Sequence, residues 1–310
     1  MSRARHHTTL NRTGETMEAT QTNDPTSAFE ENRGLLFGVA YRMTGSAADA
    51  EDLVQEAWLR WMRVDHEEVR SPADYLVTTV TRLGMDHLQS ARVRREEYVG
   101  PWLPEPLMGH DPAEGADARA ELAESLQTAF LVVLETLSPT ERAAFLLREV
   151  FGHDYAYLAA ALDKSEANCR QIVRRARQRV TEGRARFAAS PTELMEVTMR
   201  FVEACQGGDM EALMKLLAPD ATYTGDGGGV VPNARRIVVG ADNVARLMVA
   251  LNGKQEPGMT SRLVSVNGQP GLVFSVGSEP HGAITLAVTG GRVTAVFVVN
   301  NPEKLRGLRA

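Results

Sequence analysis

The sequence predicts a multidomain protein in which two all-α modules precede one α+β domain. The chain has 310 residues and 43% hydrophobic content, which is long for a single core and sufficient for two or three. Apolar residues recur at helical spacing through the first two thirds of the chain, whereas runs of alternating apolar residues fill much of the last third. The helical part is interrupted by the proline-rich stretch YVGPWLPEP, through which no helix can continue.

Shifts in composition give the domain boundaries. Residues 1–26 are polar with almost no large apolar groups, and we predict that they are disordered. The predicted helical modules are residues 27–97 and 118–188, a linker occupies residues 98–117, and the α+β domain spans residues 190–310. No apolar run approaches the roughly 20 residues that cross a bilayer, so we expect a cytoplasmic protein without membrane contact. The two cysteines suit helix cores, which indicates a reducing compartment and neither a disulfide framework nor a metal site.

The first module contains a helix with an acidic outer face. In SAADAEDLVQEAWLRWMR, Ser46 is suited to cap the helix, and the apolar positions repeat every three or four residues. The predicted buried stripe consists of Ala50, Leu53, Val54, Ala57, Trp58 and Trp61. The opposite face carries Asp49, Asp52, Gln55 and Glu56. Glu56 lies beyond the first turn, so compensation of the helix dipole does not explain it, and an ordinary solvated face is the alternative.

A second helix of this module begins at SPAD, where Ser71 is the cap and Pro72 occupies the first helical position. It continues into SARVRREE, which gives the far end of the helix a basic tip. The basic residues of interest along this helix are Arg82, Arg92, Arg94 and Arg95.

The second module has helix-turn-helix spacing. A helix opened by Ser138 and Pro139 is followed by a short helix over residues 155–162, a turn, and a longer helix from Ser165. The predicted apolar face of the longer helix consists of Cys169, Ile172, Val173, Ala176 and Val180. Its first turns then present Ser165, Glu166, Asn168, Arg170, Gln171, Arg174 and Arg175 outward.

The charge of this segment is one-sided. Residues 164–186 contain eight basic and two acidic residues, although the whole chain has a net charge of −6. Arginine, glutamine and asparagine form paired hydrogen bonds with base edges in the major groove, and further arginines suit phosphates. The segment therefore favours DNA binding over the alternative of a plain helical hairpin.

These motifs resemble regions two and four of an extracytoplasmic-function sigma factor of bacterial RNA polymerase. The match consists of DAEDLVQEAWLRW, SPADYLVTTVTRLGMDHLQSARVRR and the helix-turn-helix after LSPTERAAFLLREVFG, in the family's order and spacing. The resemblance implies that core polymerase, through its largest-subunit clamp helices and flap, and promoter DNA are the partners. It implies that Asp49, Asp52, Gln55 and Glu56 dock on the clamp helices. It also implies that residues 63–95 melt and bind the minus-ten element, and that the helix over residues 166–175 reads the minus-thirty-five element.

The sequence of the last domain predicts helices followed by a curved antiparallel sheet. A capped helix SPTELMEVTMRFVEACQGGD, a strand near residues 221–224 and a helix near residues 242–251 precede SRLVSV, GLVFSV, AITLAV and VTAVFVV. This order resembles the SnoaL-like branch of the nuclear-transport-factor-2 (NTF2) superfamily, which includes enzymes and non-enzymes. Asp226, Tyr223 and His281 are the available acid–base residues, but Asp226 opens a glycine loop and His281 falls in the predicted turn SEPHG. We therefore expect no enzyme activity and no cofactor. A small-molecule ligand inside the cone that the helices and the curved sheet would form is a possibility that the sequence leaves open.

The combination resembles group forty-one of the extracytoplasmic-function sigma factors, the SigJ-type members, in which the fused domain acts as a built-in regulator. The motifs that carry this resemblance are WLPEP, DGGG and NPEKL. It implies an interdomain regulatory contact of Trp102, Leu103, Pro104, Glu105, Pro106, Asp226, Gly227, Gly228, Gly229, Asn301, Pro302, Glu303 and Lys304.

Trp102 is predicted to anchor the linker to the C-terminal domain, and the alternative is that it covers the end of region two. The sequence departs from the family at Val230, where a basic residue usually follows the glycines, so a salt bridge there is in doubt and Arg235 or Arg236 is the substitute considered. The runner-up interpretation is a helix-turn-helix repressor fused to an NTF2-like enzyme or ligand sensor.

Overall fold

The computed structural model describes residues 24–96, 98–108, 127–184, 189–254 and 256–308. Within these ranges it contains two helical modules and one mixed α+β domain, which confirms the predicted fold class. No helix of the described ranges has both the length and the apolar character required to cross a membrane.

The first module consists of α1 (Pro25–Thr44), α2 (Ala47–Trp61) and α3 (Pro72–Glu96). Helix α1 begins inside the segment that the sequence assigns to disorder, because the Asp24 carboxylate accepts hydrogen bonds from the first free backbone N–H groups. The predicted stripe of α2 is buried except at Trp58, which is half-buried and packs edge-on against an aromatic ring of α1.

The second module consists of α4 (Thr128–Leu134), α5 (Pro139–Phe145) with a π-helical extension over Leu146–Val150, α6 (Tyr155–Leu162) and α7 (Glu166–Arg184). Its buried side chains form one continuous hydrophobic cluster with those of the first module. The two modules therefore pack on each other rather than standing apart.

The helix-turn-helix is present as predicted. Helix α6 ends at Asp163, whose left-handed backbone (φ 52°) turns the chain, and the Ser165 hydroxyl accepts a hydrogen bond from the backbone N–H of Asn168. All five residues of the predicted apolar face of α7 are buried. The predicted outward residues of its first turns are exposed.

The C-terminal domain packs helices against a six-stranded sheet. Its helices are α8 (Pro191–Gly207), α9 (Met210–Leu216) and α10 (Ala241–Asn252). Its strands are β1 (Leu217–Asp226), β2 (Val238–Val239), β3 (Met259–Val266), β4 (Gln269–Val276), β5 (Glu279–Thr289) and β6 (Arg292–Val299). The strand order is β2-β1-β6-β5-β4-β3, and only the β1–β6 pair is parallel.

Three features of this sheet differ from the sequence-based prediction. The predicted sheet is antiparallel, whereas β1 pairs with β6 in parallel, because a long crossover connection rather than a hairpin joins these two strands. The two-residue strand β2 is not predicted, because so short a segment has no periodicity. His281 lies in β5 rather than in a turn, because the β4–β5 hairpin turns at Gly277 and Ser278 and pairing resumes at Glu279. The four predicted alternating runs correspond to β3, β4, β5 and β6.

Candidate interdomain lock and nucleic-acid interface

A buried carboxylate lies where β1 ends. Asp226 has no exposed surface, and its Oδ2 atom is 2.7 Å from Lys304 Nζ and accepts a hydrogen bond of 2.8 Å from the Leu103 backbone N–H. Its Oδ1 atom accepts a hydrogen bond of 2.5 Å from the Tyr98 hydroxyl. One carboxylate thus bonds the linker at two points and the C-terminal segment at a third. We call this set of residues, Tyr98, Trp102, Leu103, Asp226 and Lys304, the interdomain lock.

Lys304 completes the interdomain lock from the other side. Its ammonium group donates a hydrogen bond of 2.6 Å to the Leu103 carbonyl and lies 4.0 Å from the centroid of the Trp102 ring. A cation over the face of tryptophan is attracted by the ring quadrupole, and the attraction grows when water is excluded. Its Nζ atom also lies 5.1 Å from the centroid of the Tyr98 ring. The buried charge of Lys304 is therefore balanced by a carboxylate, a carbonyl and the faces of Trp102 and Tyr98.

The glycine loop allows this close approach. Gly228 has a positive φ of 63°, and a Cβ atom there would collide with the Asn301 side chain. The Gly228 N–H donates to Asp226 Oδ1 at 3.1 Å, and Asn301 Nδ2 donates to the Tyr98 hydroxyl at 3.0 Å. Burial, together with the neighbouring Asp226 carboxylate, raises the pKa of Tyr98, so its hydroxyl stays protonated and able to donate.

The same linker is bonded to the first module. Glu105 is buried, its Oε2 atom accepts a hydrogen bond of 2.8 Å from the first backbone N–H of α2 at Ala47, and its own N–H donates 2.8 Å to the Gly45 carbonyl. The Tyr41 hydroxyl donates to the Glu105 carbonyl at 2.6 Å. The Trp102 ring lies over Lys304 and against Gly45, at the junction of α1 and α2, so it contacts both the C-terminal domain and the first module.

Asn267 is a contact residue that sequence reasoning missed. It occupies the β3–β4 turn with φ 51°, its backbone N–H donates to the Leu107 carbonyl at 2.8 Å, and its Oδ1 atom accepts from the Leu107 N–H at 2.7 Å. Its Nδ2 atom donates to Thr128 Oγ1 at 3.3 Å, which brings in the second module. The Asn-Gly pair signals a hairpin, but nothing local in the sequence shows that the hairpin tip binds the linker.

The two helical modules also contact each other directly. The Arg82 guanidinium donates hydrogen bonds of 2.7 and 2.8 Å to the Ala160 and Ala161 carbonyls at the end of α6. The Tyr157 hydroxyl accepts from Thr78 Oγ1 and donates to a backbone carbonyl of α3, both at 2.9 Å. Burial raises the pKa of Tyr157 to about 12. Arg82 thus bonds to the second module, while its side chain remains exposed to solvent.

The outer face of α7 is basic and exposed. Arg170 pairs with Glu166 at 2.6 Å, and Arg175 lies 3.9 Å from Glu141. Arg174 makes no hydrogen bond or ion pair with any described residue. Its guanidinium is therefore available to a partner outside the chain.

The outer face of α2 is acidic with apolar edges. Asp52 and Gln55 are exposed, and Glu56 pairs with Arg60 at 3.0 Å on the surface. Leu59 and Met62, each 50% exposed, continue this face. Asp49 differs from the other acidic residues of this face, because its carboxylate lies 3.4 Å from the His87 ring nitrogen Nε2.

The remaining basic residues of interest and Val230 take no part in the contacts described so far. Arg92, Arg94 and Arg95 belong to the last turns of α3, and their side chains lie outside the described part of the structure. Val230 is 70% exposed. Lys304 is the cation that pairs with Asp226, whereas Arg235 and Arg236 form no ion pair with a described residue. Neither arginine therefore supplies, among the described residues, the salt bridge for which it was considered.

Comparison with known proteins gives the family. The protein-family model of Sigma-70 region 2 matches residues 28–94, and the family model of Sigma-70, region 4 matches residues 127–180. The ECF RNA polymerase sigma factor SigJ of Mycobacterium tuberculosis (strain ATCC 25618 / H37Rv) is 40% identical over 291 residues, covering 91% of this chain and 93% of SigJ. The chain belongs to the extracytoplasmic-function (ECF) sigma factors.

Other similarities of this sigma factor extend over nearly its whole length. The probable ECF RNA polymerase sigma factor SigI of Mycobacterium tuberculosis (strain CDC 1551 / Oshkosh) is 32% identical over 93% of this chain and 97% of SigI. The crystal structure of Mycobacterium tuberculosis SigJ matches with a TM-score of 0.74 and 38% identity, covering 91% of this chain and 98% of that chain. The interpretation as a repressor fused to an enzyme is therefore set aside, since the family comprises sigma factors and not enzymes.

Proposed function

We propose that this ECF sigma factor binds core RNA polymerase and promoter DNA in the cytoplasm and is regulated in cis by its C-terminal domain. The first module, here region 2, binds the polymerase clamp helices through α2 and the minus-ten element through α3. The second module, here region 4, reads the minus-thirty-five element through α7. The C-terminal domain holds regions 2 and 4 in a closed arrangement through the interdomain lock.

The buried ion pair between Asp226 and Lys304, which bonds the linker, is the observation that best supports the proposed regulation in cis. Leu103 has no exposed surface and packs in a cluster that contains Val266, Phe297 and Leu305 of the C-terminal domain. Burying one leucine side chain contributes about 1.5 to 3 kcal/mol, and the adjacent prolines limit the conformational entropy that docking costs. Because the linker is also bonded to region 2 through Glu105, its position depends on both domains.

The region 2–region 4 contact supports a closed, inactive arrangement. Arg82 is a candidate for the minus-ten strand, yet its guanidinium donates to the carbonyls at the end of α6. In this arrangement the DNA-facing side of α3 next to Tyr157 is covered by region 4. Promoter engagement then requires α6 to leave α3, which polymerase drives by binding the two regions separately.

The C-terminal domain is proposed to act without catalysis. The Asp226 carboxylate is directed at the linker and bonded by Lys304, so it is not available as a base in the cone. Its role in this proposal is to hold the linker. The recognition of a promoter then belongs to regions 2 and 4.

The core contact is tested by reversing charge on α2. Asp52→Arg combined with Glu56→Arg is expected to abolish binding to purified core polymerase, because like charges would face each other at the docking surface. The matched control is Glu211→Arg with Asp242→Arg, which reverses two exposed carboxylates of the C-terminal domain, each paired with a cation four residues away as Glu56 is. Fluorescence polarisation measures binding, and circular dichroism checks folding. Unchanged core affinity in the folded α2 variant would refute the assignment.

A further inference from the structure

The C-terminal domain contains a partly open cavity that the interdomain lock does not use. It has a volume of about 250 Å³ and lies between α8, α10 and the sheet. Most of its wall is apolar, with Phe201, Met248, Leu272, Phe274 and Ile284 among the lining side chains. The volume falls just below the range of about 300 to 1,000 Å³ of sites for drug-sized ligands, so only a small molecule fits.

The cavity carries almost no charge. None of the described residues that line it is Asp, Glu, Lys or Arg, and His281 stands exposed at its edge. Burial raises the pKa of Cys205 and of Tyr223 to about 12, so thiol and phenol both stay neutral. An ionised ligand would lose its hydration without gaining a countercharge, which costs several kcal/mol. The chemistry of the wall therefore selects a neutral ligand.

One residue that lines the cavity has a buried hydroxyl without a partner among the described residues. Thr198 of α8 is 2% exposed and lines the cavity, and its Oγ1 atom has no hydrogen-bond partner among the described residues. Helical threonines usually bond to the carbonyl four residues earlier, as Thr44 and Thr79 do here. A buried hydroxyl without a partner is costly. The Oγ1 atom itself has less than 1 Å² of accessible surface, so a ligand with one polar group would satisfy it once the Thr198 side chain turns toward the cavity.

A second polar element connects the cavity wall to the interdomain lock. The Tyr223 hydroxyl donates to Asn233 Oδ1 at 2.9 Å, and Asn233 Nδ2 donates to Asn300 Oδ1 at 2.8 Å. The backbone N–H groups of Asn300 and Asn301 donate to the Asp226 carbonyl at 2.9 and 3.0 Å. Asn300 thus bonds to the cavity wall while its neighbour Asn301 bonds to Tyr98 in the interdomain lock.

We propose that this cavity binds a small, neutral, mostly apolar molecule whose single hydrogen-bonding group is held by Thr198. The bound molecule also packs against Asn233 and Asn300, which line the cavity, and so displaces their hydrogen bond and loosens the interdomain lock, a consequence that rests on the proposed regulation in cis. The binding step itself is independent of that regulation.

Three naphthalenes of one ring size test the binding step on the full chain by calorimetry. 2-Naphthol is expected to bind more tightly than naphthalene, and naphthalene-2-carboxylate is expected to bind most weakly. Thr198→Val keeps the shape of the side chain and should weaken 2-naphthol binding roughly two- to tenfold, as loss of one neutral hydrogen bond predicts, while naphthalene binding stays unchanged. Thr198→Ser keeps the hydroxyl and should retain the preference for 2-naphthol.

Thr289→Val is the matched control, because Thr289 also has a buried hydroxyl without a described partner but does not line the cavity. Equal 2-naphthol affinity in the folded Thr198→Val and Thr289→Val variants would overturn the proposal. So would failure of all three compounds to bind the wild type, or tightest binding of the carboxylate.

Hydrogen–deuterium exchange of residues 98–108 tests the coupling separately. Saturating 2-naphthol is expected to raise deuterium uptake there, because the Leu103 N–H is bonded to Asp226 in the closed arrangement. Unchanged uptake with saturated binding overturns the coupling and leaves the binding site standing. Failure of the regulatory proposal in transcription assays would not alter the calorimetric result.

Discussion

At the scale of single residues, Lys304 contacts both the C-terminal domain and the linker through one ammonium group. Its ammonium group touches a carboxylate of the C-terminal domain, a carbonyl of the linker and the face of Trp102. Asp226 is fully buried, so its charge depends on that ammonium group and on three donated hydrogen bonds. Removal of one partner therefore leaves an uncompensated charge away from water.

Lys304→Met is expected to lower the free energy of unfolding by about 3 to 5 kcal/mol, the cost of breaking a buried ion pair from one side. Urea denaturation followed by circular dichroism measures the change. Lys215→Met is the control, since the pair of Lys215 with Glu211 is exposed and its loss should not be measurable. Adding Asp226→Asn to Lys304→Met should recover part of the loss. A loss no larger than that of Lys215→Met would contradict the burial argument.

Gly45→Ala is expected to displace Trp102. Gly45 ends α1 with φ 71°, and a Cβ atom there would lie 2.5 Å from Cη2 of Trp102. Gly208→Ala is the matched control, because Gly208 ends α8 with φ 63° and has open space around its Cβ position. Both variants carry the same left-handed backbone strain. Only Gly45→Ala should raise hydrogen exchange of residues 98–108. Equal exchange in the two variants would show that the position of Trp102 does not depend on its contact with Gly45.

At the scale of elements, α7 combines a buried apolar face with an exposed basic face. Arg174 is expected to contact a base, so Arg174→Ala in the holoenzyme should cost about 1 to 3 kcal/mol at one position of the minus-thirty-five element. Binding to a set of duplexes with single substitutions measures this. Arg246→Ala removes one exposed arginine from the C-terminal domain and should have no effect. A uniform loss with a shallower salt dependence would indicate a phosphate contact, and no loss would refute the placement of α7.

The sequence predicts most elements but few of the contacts between them. Period-two alternation predicts β3 to β6, and serine caps predict the starts of α2, α3, α5 and α8, because these signals are local. Sequence reasoning misses the contacts of Asn267, Tyr41 and Glu105, because each of these residues binds a residue far away in the chain. The WLPEP, DGGG and NPEKL motifs indicate the neighbourhood only through the family resemblance. They do not show that Lys304 pairs with Asp226.

At the scale of the whole molecule, regulation depends on how the three units share contacts. Regions 2 and 4 bury one common hydrophobic cluster, and the Arg142 guanidinium of region 4 donates to the Met43 carbonyl of region 2 at 2.5 Å. The linker then bonds region 2 to the C-terminal domain, and Asn267 bonds to Thr128 of region 4. We therefore propose that the interdomain lock keeps regions 2 and 4 together.

The distance between regions 2 and 4 in the free protein tests this claim most directly. Spin labels on Ala48→Cys in α2 and Gln178→Cys in α7 occupy exposed positions, whereas Cys169 is buried and Cys205 is partly buried. Double electron–electron resonance should give one narrow distance distribution in the otherwise wild-type chain. Asp226→Asn with Lys304→Met removes both buried charges together, so the chain stays folded while the distribution shifts to longer distances and broadens. The same narrow distribution in both proteins would contradict the account.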